Sequence, residues 1–489
     1  MRRRHLLLHL APLLVLGLAG CVVGPDFHRP APPSTTAYLS PSETKSAAAQ
    51  TGGPVATSGD APVRWWAAYR SPALDALVDR AIANNRSLEA SNATLARTRA
   101  QLAAARGTAL PQVDVNGSIA REEVNLAGFG FHPGTLSGLS GNPEFNLYSV
   151  GGGVSYDLDL FGGRKRRIEQ VGAQAEAQLR QTEAAHLSIA GQVVIQTITV
   201  AAIRSRIAAA RALIGEDQRN VELTDQRRRG GEGTLVQVLN AKSQLVADQA
   251  NLPPLYQSLS EAQHLLATLV GVAPADFEAP DLDLDALTLP ANIPVSLPSE
   301  FVHRRPDILQ AEANLHAATA AIGVATARLY PDITLSASLS QAAPTPGNVF
   351  KSGFRGYDVF AGLTAPIFNG GTLKAERRAA IEDARAASAT YQDTVLGAFG
   401  QVADLLQALS HDQQTVEAQR QALTVTGSSL DLSRRSFQVG NSGVLEILDA
   451  ERIYQRSFSG LVDARAQQYL DSARLFVATA GGWTGTPAK

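Results

Sequence analysis

The chain of 489 residues carries 45 acidic and 43 basic side chains, so it has no field of the kind that gathers nucleic acid, and any partner is recognised locally. Its only cysteine, Cys21, excludes an internal disulfide. No two of its nine histidines share a metal-ligand context, and neither glycine-rich stretch, 128–134 or 230–233, is followed by the Lys-Ser/Thr of a phosphate loop. With no metal, cofactor or catalytic signature the sequence does not read as an enzyme, and His186, His264 and His316 read as helix-surface or packing residues.

Residues 1–20 read as a signal peptide, with Arg2, Arg3 and Arg4 ahead of an apolar run too short to remain as a membrane span. The run ends Leu18-Ala19-Gly20-Cys21, the bacterial lipobox pattern, in which the cysteine is acylated and becomes the first mature residue. The plainer alternative is an ordinary signal peptide with a coincidental cysteine. Val22, where an Asp commonly retains lipoproteins at the inner membrane, favours delivery to the outer membrane. Residues 21–62, rich in Pro, Ser, Thr, Ala and Gly, read as a lipid-anchored extended segment with no core.

The remainder states one pattern twice, as a first repeat over 63–280, a linker over 281–298, a second repeat over 299–482 and a tail over 483–489. At a spacing of 220, Ala93, Leu95, Ala100, Ala105, Pro111 and Ser118 meet identical residues; at 209, Gly191-Gln192-Val193 meets Gly400-Gln401-Val402 and VLNA at 238–241 meets ILDA at 447–450. Repeats this long mark a duplicated half-protein rather than a solenoid.

In the first repeat, Leu74, Leu77, Val78, Ile82, Leu88, Leu95 and Leu102 predict an amphipathic helix over 72–108. Strands follow at 112–125, where Val113, Val115 and Ile119 share a face, and at 147–161. A long helix over 164–228 carries a heptad seam through Ile189, Val193, Gln196, Val200, Ile203, Ile207, Ala210 and Ile214, and a second seam through Leu187, Ala190, Val194, Ile198 and Ala201. Such a helix is roughly 100 Å long, and two seams predict packing on two sides. Gly230, Gly231 and Gly233 break it; Thr234 and Gln237 form a capping box for a helix over 234–270. The second repeat predicts helix 304–328, strands 331–342 and 355–368, long helix 372–438 with Val402, Leu405, Leu409, Val416 and Leu423 in register, a turn at 440–443 and helix 444–480.

Four strands cannot close a membrane barrel, so the pattern requires several copies; three or more are preferred because eight strands leave an interior filled by side chains. Twelve of the 28 aromatic residues lie in 110–165 and 330–370, consistent with an interfacial girdle. A soluble sheet domain is the plainer alternative. The fold class is therefore a mixed α/β membrane protein of duplicated coiled-coil helices and β-hairpins.

The lipobox at Cys21, SYDLDLFGG at 155–163, LPSEFVHRRPDILQAEANL at 297–315, LYPDITL at 329–335, PIFNGG at 366–371 and GVLEILDAER at 443–452 together resemble the TolC-like outer membrane factor family, and within it the NodT-type efflux lipoproteins. The resemblance implies a homotrimer with a twelve-stranded β-barrel in the outer membrane, continued by a periplasmic α-helical barrel. It implies a passive exit duct for drugs or other small molecules, docked to a periplasmic adaptor and an inner-membrane transporter of the resistance-nodulation-division type. Glu446 and Asp449 match the family's acidic periplasmic gate, with Gln237 and Asn240 as their uncharged first-repeat counterparts. Gly230, Gly231, Gly233, Val439, Gly440 and Asn441 match its adaptor-facing tips. Glu446 also suits a helix's first turn for dipole reasons alone, and the glycines suit a helix hairpin. A basic residue of the closed-state lock in some relatives falls at Ser442; Arg434, Arg435 and Arg227–Arg229 are the nearby cations. A duct for whole proteins and a poreless coiled-coil scaffold are the rival readings.

Overall fold

The computed structural model describes residues 22–48, 54–59, 61–125 and 142–479. Residues 1–20, Cys21, residues 480–489 and most of the segment between the strands expected at 112–125 and 147–161 lie outside the described residues. In chain order the elements are α1 (Pro41–Ala48), β1 (Val55–Ser58), α2 (Pro72–Asn84), α3 (Arg86–Gly107), β2 (Gln112–Glu123), β3 (Glu144–Asp157), α4 (Gly163–Arg229), α5 (Leu235–Ala250), α6 (Leu252–Val270), β4 (Asn292–Val295), α7 (Pro298–Phe301), α8 (Pro306–Ala327), β5 (Asp332–Ala343), β6 (Arg355–Thr364), α9 (Thr372–Gln438) and α10 (Val444–Ala478). The chain divides into two compact units. One holds the chain up to Arg29, Ala96–Glu176 and Glu312–Ala389; the other holds Pro30–Leu95, Ala177–Ala311 and the chain from Thr390.

The first unit is built on one antiparallel sheet in the order β2-β3-β5-β6. Its register places Val113, Val115 and Ile119 in one face with Tyr148, Val154, Leu335, Leu339, Tyr357, Val359 and Leu363. Val113, Val115 and Ile119 are 77–79% exposed, so the apolar face is not covered by the chain's own core. The opposite face carries Asp114, Asn116, Ser118, Ser149, Ser155, Ser336, Ser338 and Ser340, with glycines between them and Phe145, Leu147 and Phe360 as its large apolar exceptions. Ser118 and Ser149 share a hydrogen bond across it at 2.7 Å. The alternation of two residues per repeat thus separates apolar from polar over the middle of the sheet, and it reverses at the start of β3, where Phe145 and Leu147 take the polar face and Glu144 and Asn146 the apolar one.

The second strand ends at Asp157, short of the predicted 161, because the segment after it caps α4. Asp159, at φ 45°, accepts hydrogen bonds from the backbone N–H groups of Arg164 and Lys165, satisfying donors that a helix start leaves free. Likewise β6 ends at Thr364 ahead of Pro366, leaving Ile367 and Phe368 exposed.

A strap, residues 22–29, lies against α4 and α8 within this unit. Val23 donates to the Phe161 carbonyl (3.1 Å). Arg166, 4% exposed, donates to the Val23 and Gly24 carbonyls and to the Asp26 carboxylate (2.6 Å). Its guanidinium holds Asp26 below the usual carboxylate range. Phe27 stacks on His316 (4.4 Å between centroids), His316 meets Glu169, and Arg29 pairs with Glu312. Gly24 has φ 91°, and a Cβ there would lie 2.4 Å from the Gly323 Cα, so only glycine fits.

The second unit holds the main core. Both predicted seams of α4 are buried except at Gln196, which is half-buried and donates to the Ala262 carbonyl. This helix includes a window apolar enough to cross a membrane by composition, but 67% of that window is buried within the protein, as in a core helix. Trp65, Trp66, Tyr69, Leu74, Phe301 and Phe476 are the large buried side chains beside it, each contributing about 1.5–3 kcal/mol by leaving water. Trp65 stacks on Phe476, and Tyr69 shares a hydrogen bond with Ser472.

Three expectations are corrected in this unit. The helix over 72–108 breaks at Asn85, whose extended backbone and side-chain oxygen cap α3 through Ser87 and Leu88. The helix over 234–270 breaks at Asn251, ahead of Pro253 and Pro254, which suit a first turn and no later one. The extended segment and the linker are not both free of structure, since β1 and β4 pair in parallel from Val55–Asn292 to Ser58–Val295. Tyr38, also from the extended segment, donates to the Ser296 carbonyl and packs edge-on against Phe301 and Phe399.

Candidate functional site at the paired helix turns

The two long helices end in turns with the same hydrogen bonds, 209 residues apart. Gly230, Gly231 and Glu232 donate to the carbonyls of Gln226, Arg228 and Arg227; Val439, Gly440 and Asn441 donate to those of Arg435, Phe437 and Ser436. Gly231 and Gly440 occupy the left-handed position, at φ 83° and 81°, which satisfies the terminal carbonyls of a helix in a form glycine adopts without strain. Gly233 is confined for another reason, because a Cβ there would meet the Arg228 nitrogen at 3.1 Å and Gln237 Oε1 at 3.2 Å. The turns carry exposed apolar residues, Leu235, Val236 and Leu239 in the first and Val439 and Leu445 in the second.

Beyond the turns the side chains diverge. Thr234 and Gln237 complete the capping box expected of them, with Gln237 N–H donating to Thr234 Oγ1 and Thr234 N–H donating to Gln237 Oε1. Gln237 therefore serves its own helix start, and Asn240 is half-buried one turn on. In the second repeat Gly443 replaces Thr234. Glu446 occupies the Gln237 position, is exposed, and folds back until its Oε2 lies 2.9 Å from where a Gly443 Cβ would stand. A carboxylate at this site also meets the positive end of the helix. Asp449 is exposed but not bare, since Arg452 one turn later pairs with it at 2.5 Å.

Charged side chains tie the helices behind the second turn. Arg227 of α4 donates to the Phe437 carbonyl (2.8 Å) and lies 4.1 Å over the Phe437 ring, a cation at the end of a helix where its dipole favours one. Arg434 of α9 bridges Glu216 of α4 and Glu451 of α10, at 3.2 and 3.0 Å. Glu451 is 2% exposed and also accepts from Asn220. Of the cations near Ser442, Arg434 is thus the one that joins three helices. Asp217, fully buried beside this network, was not singled out by sequence reasoning. The available signal was the repeat itself: Asp217 and Glu451 correspond at the 209 spacing to Thr426 and Lys242, so their charges are not part of the duplicated scaffold.

A duplicated fold with a two-faced sheet and hairpinned long helices defines a class. The sequence model of the outer membrane efflux protein family matches residues 77–272 and 297–481, nearly the two repeats, and the chain belongs to that family. It is similar to the pyoverdine export outer membrane protein OpmQ of Pseudomonas aeruginosa, 30% identical over 86% of this chain and 87% of that one. It is also similar to outer membrane protein OprJ of the same organism, 28% identical over 97% and 95%. Among solved structures, the outer-membrane channel OprN matches 95% of this chain and 100% of its own, at TM-score 0.84 and 26% identity. The open state of the Neisseria gonorrhoeae MtrE outer membrane channel matches 94% and 98%, at 0.80 and 26%. The chain is an outer-membrane efflux channel component of a tripartite pump.

Proposed function

We propose that three copies close their sheets into a twelve-stranded barrel, and that the helices continue it as a passive exit duct for small molecules, gated at the periplasmic end by the second-repeat turn. What carries this reading is the sheet: its apolar face suits lipid, its serine- and glycine-lined face suits water, and its outer strands β2 and β6 pair on one side only. An open edge cannot remain unpaired in a bilayer, and four strands cannot close alone. The export of pyoverdine named for OpmQ fits cargo of this size class. The exposed apolar residues at both turns suit a periplasmic adaptor, with an inner-membrane transporter beyond it supplying the energy. Lipidation at Cys21 fits the strap, which holds residue 22 against the first unit; the mass of the mature chain tests it.

In the duct, Glu446 and Asp449 would form an acidic ring moderated by Arg452, so that three copies bring six carboxylates and three guanidinium groups. Such a ring favours cations. The test is single-channel conductance of the purified protein in planar bilayers. Low, cation-selective conductance that rises in Glu446→Ala plus Asp449→Ala is the expected result. Unchanged conductance would move the gate away from these residues, and none from folded protein would remove the duct.

A further inference from the structure

Asp217 is buried to 0% exposure, and no hydrogen-bond donor reaches either of its carboxyl oxygens. The groups acting on it are all acids: Asp248 on α5, Glu451 on α10 and Glu216 on its own helix. Arg434 of α9, the guanidinium that meets two of these acids, is held by Glu216 and Glu451. Gln244 donates to Asp248 and Asn220 to Glu451, so both amides are committed to other acids of the cluster. A buried carboxylate with neither a donor nor a cation is strongly disfavoured. A neutral carboxyl that donates to Asp248 removes one charge and satisfies one group at the same time.

We propose that Asp217 and Asp248 share one proton, and that Asp217 is a positioning residue for the passage, holding α4 against α5 and α10 only while the proton is present. The inference rests on the reading of Glu446 and Asp449 as the gate. Those two residues lie on the exposed side of α10, whereas Glu451, Ile447 and Ala450 are buried. Loss of the proton places a second negative charge beside Glu451, the residue that fastens the inward side of α10 through Arg434 and Asn220. Repulsion there loosens the helix whose outer side narrows the duct. Burial, and then Asp248, lift Asp217 to about 8, so the device acts as pH rises through that value, each pH unit changing the charged-to-neutral ratio tenfold.

The experiment compares wild type, Asp217→Asn and Asp217→Glu as purified full-length protein, by infrared spectroscopy and by conductance, from pH 6 to pH 9.5. The expected infrared result is a protonated-carboxyl band that vanishes as pH rises through about 8 and is missing in Asp217→Asn, which keeps only the band of Asp412, lost near pH 7. In bilayers, wild type should open more often above that pH. Asp217→Asn, which can donate to Asp248 at every pH, should stay closed and flat, and Asp217→Glu should keep a pH response. A band unaffected by Asp217→Asn would overturn the shared proton. A titrating band with an opening frequency that rises equally in Asp217→Asn would overturn the positioning role. Failure of the gate reading would appear separately, in the ring variants. Should Asp217→Asn not assemble, Asp248→Asn serves: it supplies a neutral partner and should move the infrared midpoint below that of wild type, and an unmoved midpoint would overturn the pair.

Discussion

The turn at residues 230–234 and the turn at 439–443 have the same backbone and different side chains. Each closes with three equivalent hydrogen bonds and one left-handed glycine. The first is finished with a neutral Thr234–Gln237 box, the second with Gly443, Glu446 and a network of buried charge around Glu451. Duplication has preserved what main-chain geometry demands, while the side chains that no hydrogen-bond pattern demands have separated. A hairpin needs its glycine in either copy; only the second places acid in the first two turns of the helix that leaves it, at Glu446, Asp449 and Glu451.

The largest expected effect lies in position 434 and its first-repeat counterpart, position 225. Arg434→Ala strands buried Glu451 and should destabilise by about 3 kcal/mol, the lower end for a broken buried pair because Arg434 is itself a third exposed. Asp225→Ala removes only solvent-screened pairs with Arg228 and Arg229 and should cost far less than Arg434→Ala in chemical unfolding. Equal losses would erase the distinction between the two turns. Next, Gly231→Ala and Gly440→Ala should each cost about 1 kcal/mol, and by similar amounts, since both place a Cβ in the left-handed region. Unequal costs would show that one turn relaxes where the other cannot.

Thr234→Ala should cost about 1 kcal/mol through the lost box. Gly443 offers no equivalent cap to remove. Smallest in stability is Arg452→Ala, under about 0.5 kcal/mol for so exposed a pair, yet it should raise cation selectivity by unmasking Asp449. A selectivity unchanged by it would place that pair away from the ion path. The pH dependence has a definite sign. Asp217 keeps its proton in the folded chain up to about 8, whereas an unfolded Asp loses it near 3.8, so folding stability falls as pH rises between those values. Asp412, lifted to about 7 by burial and by Asp471, acts in the same direction over a slightly shorter window. Asp217→Asn should flatten most of this decline in unfolding midpoints between pH 5 and pH 8; a decline of undiminished slope would assign it to other groups.

The seams of α4, the alternating strands, the Thr234 box and both glycine turns were legible in the sequence, because each follows from a local period or a local backbone need. The break at Asn251 was legible in principle from Pro253 and Pro254. That at Asn85 was less so, because its signal is one side chain capping the next helix. The pairing of β1 with β4 was not legible: two four-residue strands joined in parallel across 237 positions leave no local pattern. The links made by Arg227 and Arg434 depend on which faces of long helices meet, and heptads fix the buried face rather than the charged residues at its border. The proposed gate residues rest on resemblance, and Arg452 beside Asp449 was overlooked because its partner lies one helical turn away on the surface.

The strap at residues 22–29 is supplied once to a scaffold built twice. Its clamp draws on Arg166 from the first repeat and on Glu312, His316 and Gly323 from the second. The corresponding positions 375 and 92, the counterparts of Arg166 and Glu312, are Ala375 and Asn92, so no second strap could be held alike. Because half of the clamp lies almost three hundred residues downstream, the strap is made before the second repeat and cannot be seated until that repeat exists. Synthesis runs from the strap outward, and folding has to return to it.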